Sequence, residues 1–188
     1  MTQLLPTLHR FTIDDLERMV TAGILRPDDR VELIEGELID LVPISWPHQA
    51  CVDRLAELFV RHVGRLAIVR IQGPIRLSER SLPQPDLALL RPQQDDYAEA
   101  APTPADVLLI VEVSDTTLPY DRDTKVPLYA RYGIPEVWLV DLTGQRVLLF
   151  RAPHAEGYRD QDELRSWDVV SPVAFPDLSI PLTNILAP

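Results

Sequence analysis

Cysteine is almost missing from this sequence, and long apolar runs are missing altogether. The one cysteine, Cys51, excludes an intramolecular disulfide, and the segment Met1–Arg10 lacks the basic, apolar and small-residue regions of a secretory signal. Every apolar run is far shorter than the ~20 residues that a helix needs to cross a bilayer. These absences predict a cytoplasmic protein with no membrane partner.

Basic residues are also scarce. Lysine and arginine number 18 against 29 aspartates and glutamates, so the formal net charge is −11. Proteins that bind nucleic acid through many phosphates usually carry a basic face. The excess of acidic residues therefore counts against nucleic-acid binding. It does not exclude such binding, because carboxylates gathered to hold divalent cations look acidic without the ions, and arginines between Arg54 and Arg76 could share one face.

The remaining composition is that of an ordinary globular protein. Hydrophobic residues make up 46% and charged residues 25% of the 188 residues, which argues against disorder and fibres and suits a single domain over residues 1–188. Aromatic residues, at 6%, are too few to favour a sugar-stacking groove.

The first half of the chain predicts two helices around a hairpin. Thr12 is a good N-cap for a helix over about 12–22, which ends at Gly23. Two β-prone runs within 31–42 surround the turn-forming pair Glu35-Gly36 and predict a hairpin. Ser45 then caps a helix whose apolar residues recur at helical spacing: Val52, Leu55, Ala56, Phe59 and Val63.

The second half predicts strands, one further helix and a hairpin. Strand patterns cover 67–77, 86–90 and 107–113, with a polar surface loop over 93–104. A helix is predicted over 121–132, with Lys125 in its first turn if Thr124 is the N-cap, and a hairpin over 136–141 and 146–151. The extension 152–188 is proline-rich and is predicted to contain only short strand-like pieces and no second domain.

Three polar residues stand out because their surroundings are apolar or strand-like. Asp86 follows Gln84-Pro85, Glu112 lies inside the run 108–113, and Lys125 follows Asp121-Arg122-Asp123-Thr124. A charge in a buried strand costs several kcal/mol unless it is paired or bound to metal. Two carboxylates and a lysine placed in this way predict a metal-dependent hydrolytic site.

The chemistry of phosphodiester hydrolysis needs these residue types. A divalent ion held by carboxylates can bring water against an anionic phosphorus and stabilise the negative charge that develops. Hard oxygen ligands, with no cluster of cysteine or histidine, favour Mg²⁺, with Mn²⁺ as an alternative. A lysine beside them could orient or help to deprotonate the water, and a helix N-terminus would lower its pKa somewhat.

The ordered motifs of the chain resemble the Uma-type family of bacterial restriction endonucleases, a branch of the PD-(D/E)xK nuclease superfamily. The matching segments are 32–37, Pro47-His48-Gln49, Gln84-Pro85-Asp86-Leu87, 110–114 and 121–141. This resemblance implies an α/β fold with a restriction-endonuclease-like core over about 28–151, a mixed sheet flanked by helices. It also implies DNA as substrate.

The resemblance further implies roles for individual residues. Asp86 and Glu112 match the metal ligands, and Glu32 matches a recurrent acid that could complete the metal site. The superfamily lysine would stand two residues after the glutamate, where this sequence has Ser114. Lys125 in the following helix is the matching residue.

Each candidate also has a simpler interpretation. Asp86 could be a turn acid, Glu112 half of a buried ion pair, and Lys125 a solvated helix charge. His48 could contact phosphate or shuttle a proton, or could be a surface histidine, and Gln84 could touch the site beside Asp86. Three residues are predicted to serve packing alone: Tyr129, Trp138 and Cys51.

Three classes of function follow. The first is a Mg²⁺-dependent endonuclease acting on DNA, with Asp86, Glu112 and Lys125 as its catalytic residues. The second is a catalytically inactive module of the same fold that interacts with nucleic acid or protein, and the third is a metal-free hydrolase with paired carboxylates, for example on a glycoside. Cleavage of both strands of a duplex would suit a homodimer.

Overall fold

A mixed six-stranded sheet with helices on both faces forms the centre of the molecule. The structure, a computed structural model, describes residues 7–26 and 28–186. The helices are α1 (Ile13–Thr21), α2 (Trp46–Val63), α3 (Leu118–Tyr120) and α4 (Val126–Arg131), with a π-helical turn at Asp121–Lys125 and 3-10 turns at Pro104–Asp106 and Leu182–Asn184. The strands are β1 (Val31–Ile34), β2 (Glu37–Asp40), β3 (Ile68–Ile71), β4 (Leu87–Leu90), β5 (Val107–Ser114), β6 (Glu136–Asp141), β7 (Arg146–His154), β8 (Gly157–Arg165), β9 (Val169–Val170) and β10 (Ile180–Pro181).

The order of the strands explains where the helices must lie. The central sheet runs β3-β4-β5-β6-β7-β8, and only its β5–β6 pair is parallel. Parallel neighbours need a crossover, which α3, the π-helical turn and α4 supply. The predicted mixed α/β fold is confirmed, and the crossover begins at the end of β5, where Glu112 is the third residue from the end.

Two apolar cores cover the two faces of this sheet. Alternate residues of β4 and β5 point to opposite faces, so Leu87 and Val111 pack against α2 while Ala88 and Ile110 pack toward α4. The C-terminal residues Ile185 and Leu186 join the α2 core. No helix in the described ranges is long and apolar enough to span a membrane.

The predicted helices and hairpins of the first half are confirmed. Thr12 and Asp15 form a reciprocal capping box at α1, and Ser45 caps α2 by accepting a hydrogen bond from the His48 backbone amide. Glu35 and Gly36 both have positive φ, at 49° and 83°, as a type I′ hairpin turn requires.

Three expectations for the elements were wrong in detail. The strand predicted over 67–77 ends at Ile71, where Gln72 turns with φ at 48°. The extension from 152 contains a full strand, β8, which pairs with β7 and completes the sheet. The crossover helix begins after Thr117 rather than Thr124, so Lys125 lies well inside it.

Candidate active site

Asp86 and Glu112 lie side by side because of the register between β4 and β5. Leu87 pairs with Val111, which brings the residue before Leu87 next to the residue after Val111. Both side chains line a cavity of about 390 Å³, together with Lys125, His48 and other residues. The sequence-predicted carboxylates and the lysine therefore meet in one site.

Hydrogen bonds keep the Asp86 carboxylate ionised. Its Oδ2 accepts from the Val113 backbone N–H at 2.8 Å and lies 3.0 Å from Nε2 of His48. Burial alone would raise the pKa of Asp86, but the attraction of His48 and Lys125 and the Val113 hydrogen bond outweigh it, so the pKa is lowered. Asp86 is thus poised as an anion that faces the cavity.

Lys125 joins two buried acids beneath the cavity. Its Nζ lies 2.8 Å from Oε1 of Glu112 and 3.0 Å from Oε1 of Glu32, and the three side chains are at most 4% exposed. The Tyr129 hydroxyl donates to the same Glu112 oxygen at 2.6 Å. This cluster of one cation and two carboxyl groups is the most deeply buried charge arrangement around the cavity.

Burial and pairing drive the cluster's pKa values apart. Burial would lower the pKa of Lys125, but Glu112 and Glu32 outweigh it and raise that pKa well above its ordinary value. One ammonium balances only one carboxylate, and burial raises the pKa of Glu112 to about 8 despite the attraction of Lys125. At neutral pH the lysine is therefore charged and Glu112 holds its proton.

The π-helical turn directs the Lys125 side chain toward the acids on β1 and β5. This turn contains Asp121, which is buried, and ends at Lys125. Asp121 Oδ2 accepts hydrogen bonds from the hydroxyls of Ser114 and Thr117, both at 2.6 Å. Ser114, the last residue of β5, therefore connects the end of this strand to the helix that carries Lys125.

The other candidates take distinct places. His48 contacts Asp86 and lines the cavity, and Gln84 lines it as well. The backbone N–H of Gln84 donates a hydrogen bond to Oε1 of Glu32 at 2.6 Å. Gln84 and Lys125 thus both hold the Glu32 carboxyl group beside the cavity. Cys51 is buried and serves packing, as predicted.

Sequence reasoning missed three contributors to the site. Tyr129 was assigned to packing alone, yet its hydroxyl bonds Glu112. Tyr120 and Asp121 line the cavity but were not selected. The available signal for Asp121 and Tyr129 was their distance of four positions from Lys125, since residues three or four positions apart share a helical face.

The oxygen donors at the cavity are of the kind that the predicted Mg²⁺ prefers. In the ranges that the structure covers, no three His, Cys, Asp or Glu side chains are arranged to hold a metal ion. Asp86 and Glu112 nevertheless line one cavity, and their oxygens, once Glu112 has lost its proton, suit a Mg²⁺ ion that keeps several of its own waters. The residues present fit a site of this two-carboxylate kind.

Comparisons with known proteins identify a shared fold and a family. The fold is shared with a crystal structure at 1.96 Å of "a putative nuclease belonging to DUF820" from Anabaena variabilis ATCC 29413, at a TM-score of 0.72 and 16% identity over 94% of this chain and 98% of that one. The molecule thus has the fold of a nuclease-like protein. The family model "Uma2: Putative restriction endonuclease" matches residues 13–183, so the chain belongs to that family. No curated protein matches it.

Proposed function

We propose that this protein is a Mg²⁺-dependent endonuclease that hydrolyses DNA phosphodiester bonds. Family membership and the nuclease-like fold support nuclease chemistry. The observation that carries the proposal is the meeting of Asp86, Glu112 and Lys125 at one cavity, from three separate segments of the chain. A purely structural ion pair would not need Asp86 as a second carboxylate facing the same space.

Asp86 and Glu112 are the residues that would hold the metal. A bound Mg²⁺ would polarise the phosphate and lower the pKa of its water, with Mn²⁺ as a possible substitute. Val113 and His48 both contact Oδ2 of Asp86, so they fix the direction of this carboxylate. Glu112 must be ionised to bind the metal, so metal binding would release the Glu112 proton.

Lys125 acts as a fixed cation in this proposal. Its raised pKa keeps the ammonium charged, so it donates to a phosphate oxygen or to the attacking water and does not remove a proton. The prediction of a lysine with a pKa lowered by a helix N-terminus was wrong on both counts, because Lys125 lies inside the helix and faces two acids.

Glu32 holds Lys125 in position. Lys125 and the Gln84 backbone amide both contact Oε1 of Glu32, and the Tyr120 hydroxyl lies 3.4 Å from its Oε2. These partners favour a positioning role over the predicted role as a third metal ligand. By the same reasoning from contacts, His48 positions Asp86 and Gln84 positions Glu32.

Assembly and location complete the proposal. Cutting both strands of a duplex requires two sites of opposite orientation, which a two-fold homodimer provides. We place this activity in the cytoplasm, where cellular DNA and reduced thiols such as Cys51 are found. Sedimentation equilibrium should then give twice the 21.3 kDa of one chain.

The decisive experiment is cleavage of supercoiled plasmid and of single-stranded DNA with Mg²⁺, Mn²⁺ or EDTA. We expect cleavage with either metal and none with EDTA, and loss of cleavage in Asp86→Ala, Glu112→Ala and Lys125→Ala. If the folded wild type cuts nothing with any metal, the inactive interaction module becomes the better account. Metal-independent cleavage that survives in the three variants would contradict the assigned site.

A further inference from the structure

The cavity is larger and more apolar than phosphodiester hydrolysis requires. At about 390 Å³ it falls within the range of ~300–1,000 Å³ that small-molecule sites span. The end of β2 and the segment that follows it form an apolar wall beside the charged groups: Ile39, Leu41, Val42, Pro43 and Ile44. A metal, a water and a phosphate make no use of such a wall.

The same cavity contains an amide that lacks a hydrogen-bond partner. Gln72 lines the cavity, and its Nε2 is buried without a partner in the described part of the chain. Its backbone is held at φ 48° by the bond from its N–H to the Asp86 carbonyl at 3.0 Å. A buried polar group without a protein partner needs a ligand or a water to supply the missing contact.

The depth of the reacting groups limits how DNA can enter. The Glu112 and Lys125 side chains are only 3% and 4% exposed, so they lie below the surface of the protein. A phosphate of a regular duplex is held in place by its paired and stacked nucleotides, so it reaches recessed groups less easily than the phosphate of an unpaired nucleotide. Enzymes that must reach a base solve a comparable problem by acting on single strands or by moving the nucleotide out of its stack.

We propose that this cavity binds one unpaired nucleobase next to the scissile phosphate; the inference rests on the proposed nuclease function and names its substrate class. The apolar wall packs against the faces of the base. Gln72 Nε2 is buried in the free protein, so the Gln72 side chain turns toward the cavity on binding and its Nε2 donates to a carbonyl oxygen or ring nitrogen at the edge of the base. The preferred substrates are single strands and duplexes with an unpaired nucleotide.

Two variants and two matched controls test the base site. Gln72→Met removes the donor at nearly constant shape, and Gln145→Met makes the same change at φ 49° in an exposed turn outside the cavity. Val42→Asp places a charge on the apolar wall. Its control, Val60→Asp, places a charge on α2, away from the cavity. Val42 and Val60 are 53% and 60% exposed, so neither change disturbs a core.

Binding is measured by fluorescence anisotropy with Ca²⁺ in place of Mg²⁺, using a labelled single strand, its fully paired duplex and the same duplex with one unpaired nucleotide. The two substrates with unpaired nucleotides should bind more tightly than the paired duplex. Gln72→Met and Val42→Asp should weaken their binding about tenfold, and the controls should not. Gln72→Met should also melt at a higher temperature than the wild type, because a buried unpaired amide is removed.

Equal binding of all three substrates, no binding of any of them, or unchanged binding in Gln72→Met and Val42→Asp would overturn the inference. Cleavage in Mg²⁺ is followed separately. A protein that prefers unpaired nucleotides but cuts nothing contradicts the nuclease and supports the base site. A protein that cuts paired and unpaired DNA equally contradicts the base site alone.

Discussion

Asp86 and Glu112 share one cavity but have opposite protonation behaviour. The hydrogen bond and attraction of His48, the attraction of Lys125 and the Val113 hydrogen bond outweigh burial and lower the pKa of Asp86, whereas deeper burial raises the pKa of Glu112 to about 8. Pairs of carboxyl groups whose environments push their pKa values apart are typical of catalytic sites. Because of this difference, the ionisation of Glu112 is the one whose effect on stability can be measured as a function of pH.

The raised pKa of Glu112 predicts a stability that falls as pH rises. Its folded pKa is about 8 and its ordinary value is 4.5, so between these values only the folded state holds the proton. This contribution is complete below the lower value and is lost toward the higher one. Raising the pH from about 6 to about 8 should therefore lower the free energy of unfolding by about 2 kcal/mol.

Urea unfolding of the wild type and Glu112→Gln at both pH values measures this loss. The glutamine cannot ionise, so the variant's stability should change less. Lys125 and Asp86 do not interfere, because the folded pKa of Lys125 lies well above 10.5 and that of Asp86 lies below 3.8. Parallel pH dependence in the two proteins would contradict the assignment.

Lys125 should be needed for folding as well as for catalysis. Lys125→Met leaves Glu32 buried without its cation, and breaking a buried pair in this way costs about 3–5 kcal/mol. The double variant Lys125→Met/Glu32→Gln removes the unpaired acid too and should recover part of the loss. Thermal unfolding measures both, and equal stability of the single and double variants would show that Glu32 and Lys125 are not coupled.

Single-residue signals in the sequence identified the charged groups but not their neighbours. Glu112 and Lys125 were recognisable because charge in apolar or ordered surroundings demands a partner. Tyr129 was not, since a buried tyrosine packs in the same way whether or not its hydroxyl has a role. Which acid Lys125 would join depended on contacts between distant segments, such as that with Glu32.

At the scale of elements, strong periodicity was a reliable guide and weak periodicity was not. The apolar stripe of α2 and the buried runs of β4 and β5 predicted these elements closely. β8 was missed because its exposed edge position allows a polar sequence, including Asp160, Asp162 and Glu163. The π-helical turn was missed because one additional residue in a helix has no compositional signature.

Glu136 on β6 is a buried acid with a structural role, in contrast to the proposed catalytic acid Glu112 on β5. Glu136, at the start of β6, is fully buried and accepts hydrogen bonds from Trp138, Arg151 and the Val173 backbone. Glu136→Gln should lower the free energy of unfolding by about 1–3 kcal/mol, because Arg151 loses its counter-charge. Chemical unfolding checks this, and a variant as stable as the wild type would contradict the assignment.

At the scale of the molecule, the acidic surface predicts weak electrostatic binding of DNA. The net charge is −11, and the cations on the cavity are Lys125 and Arg30. About one or two phosphate contacts give a slope of roughly −1 to −2 in a plot of log affinity against log salt. Anisotropy titrations over a range of KCl measure it, and a slope of about −5 or steeper would reveal a basic face beyond the cavity.

The central claim is that the buried acid at the end of β5 exists for hydrolysis, and one comparison of two buried glutamates tests it most directly. Plasmid nicking in Mg²⁺ is measured for the wild type, Glu112→Gln and Glu136→Gln at a temperature where all three are folded. The account predicts that Glu136→Gln nicks at the wild-type rate, whereas Glu112→Gln loses at least about a hundredfold. Equal activity in the two variants, or none in the wild type, would contradict it.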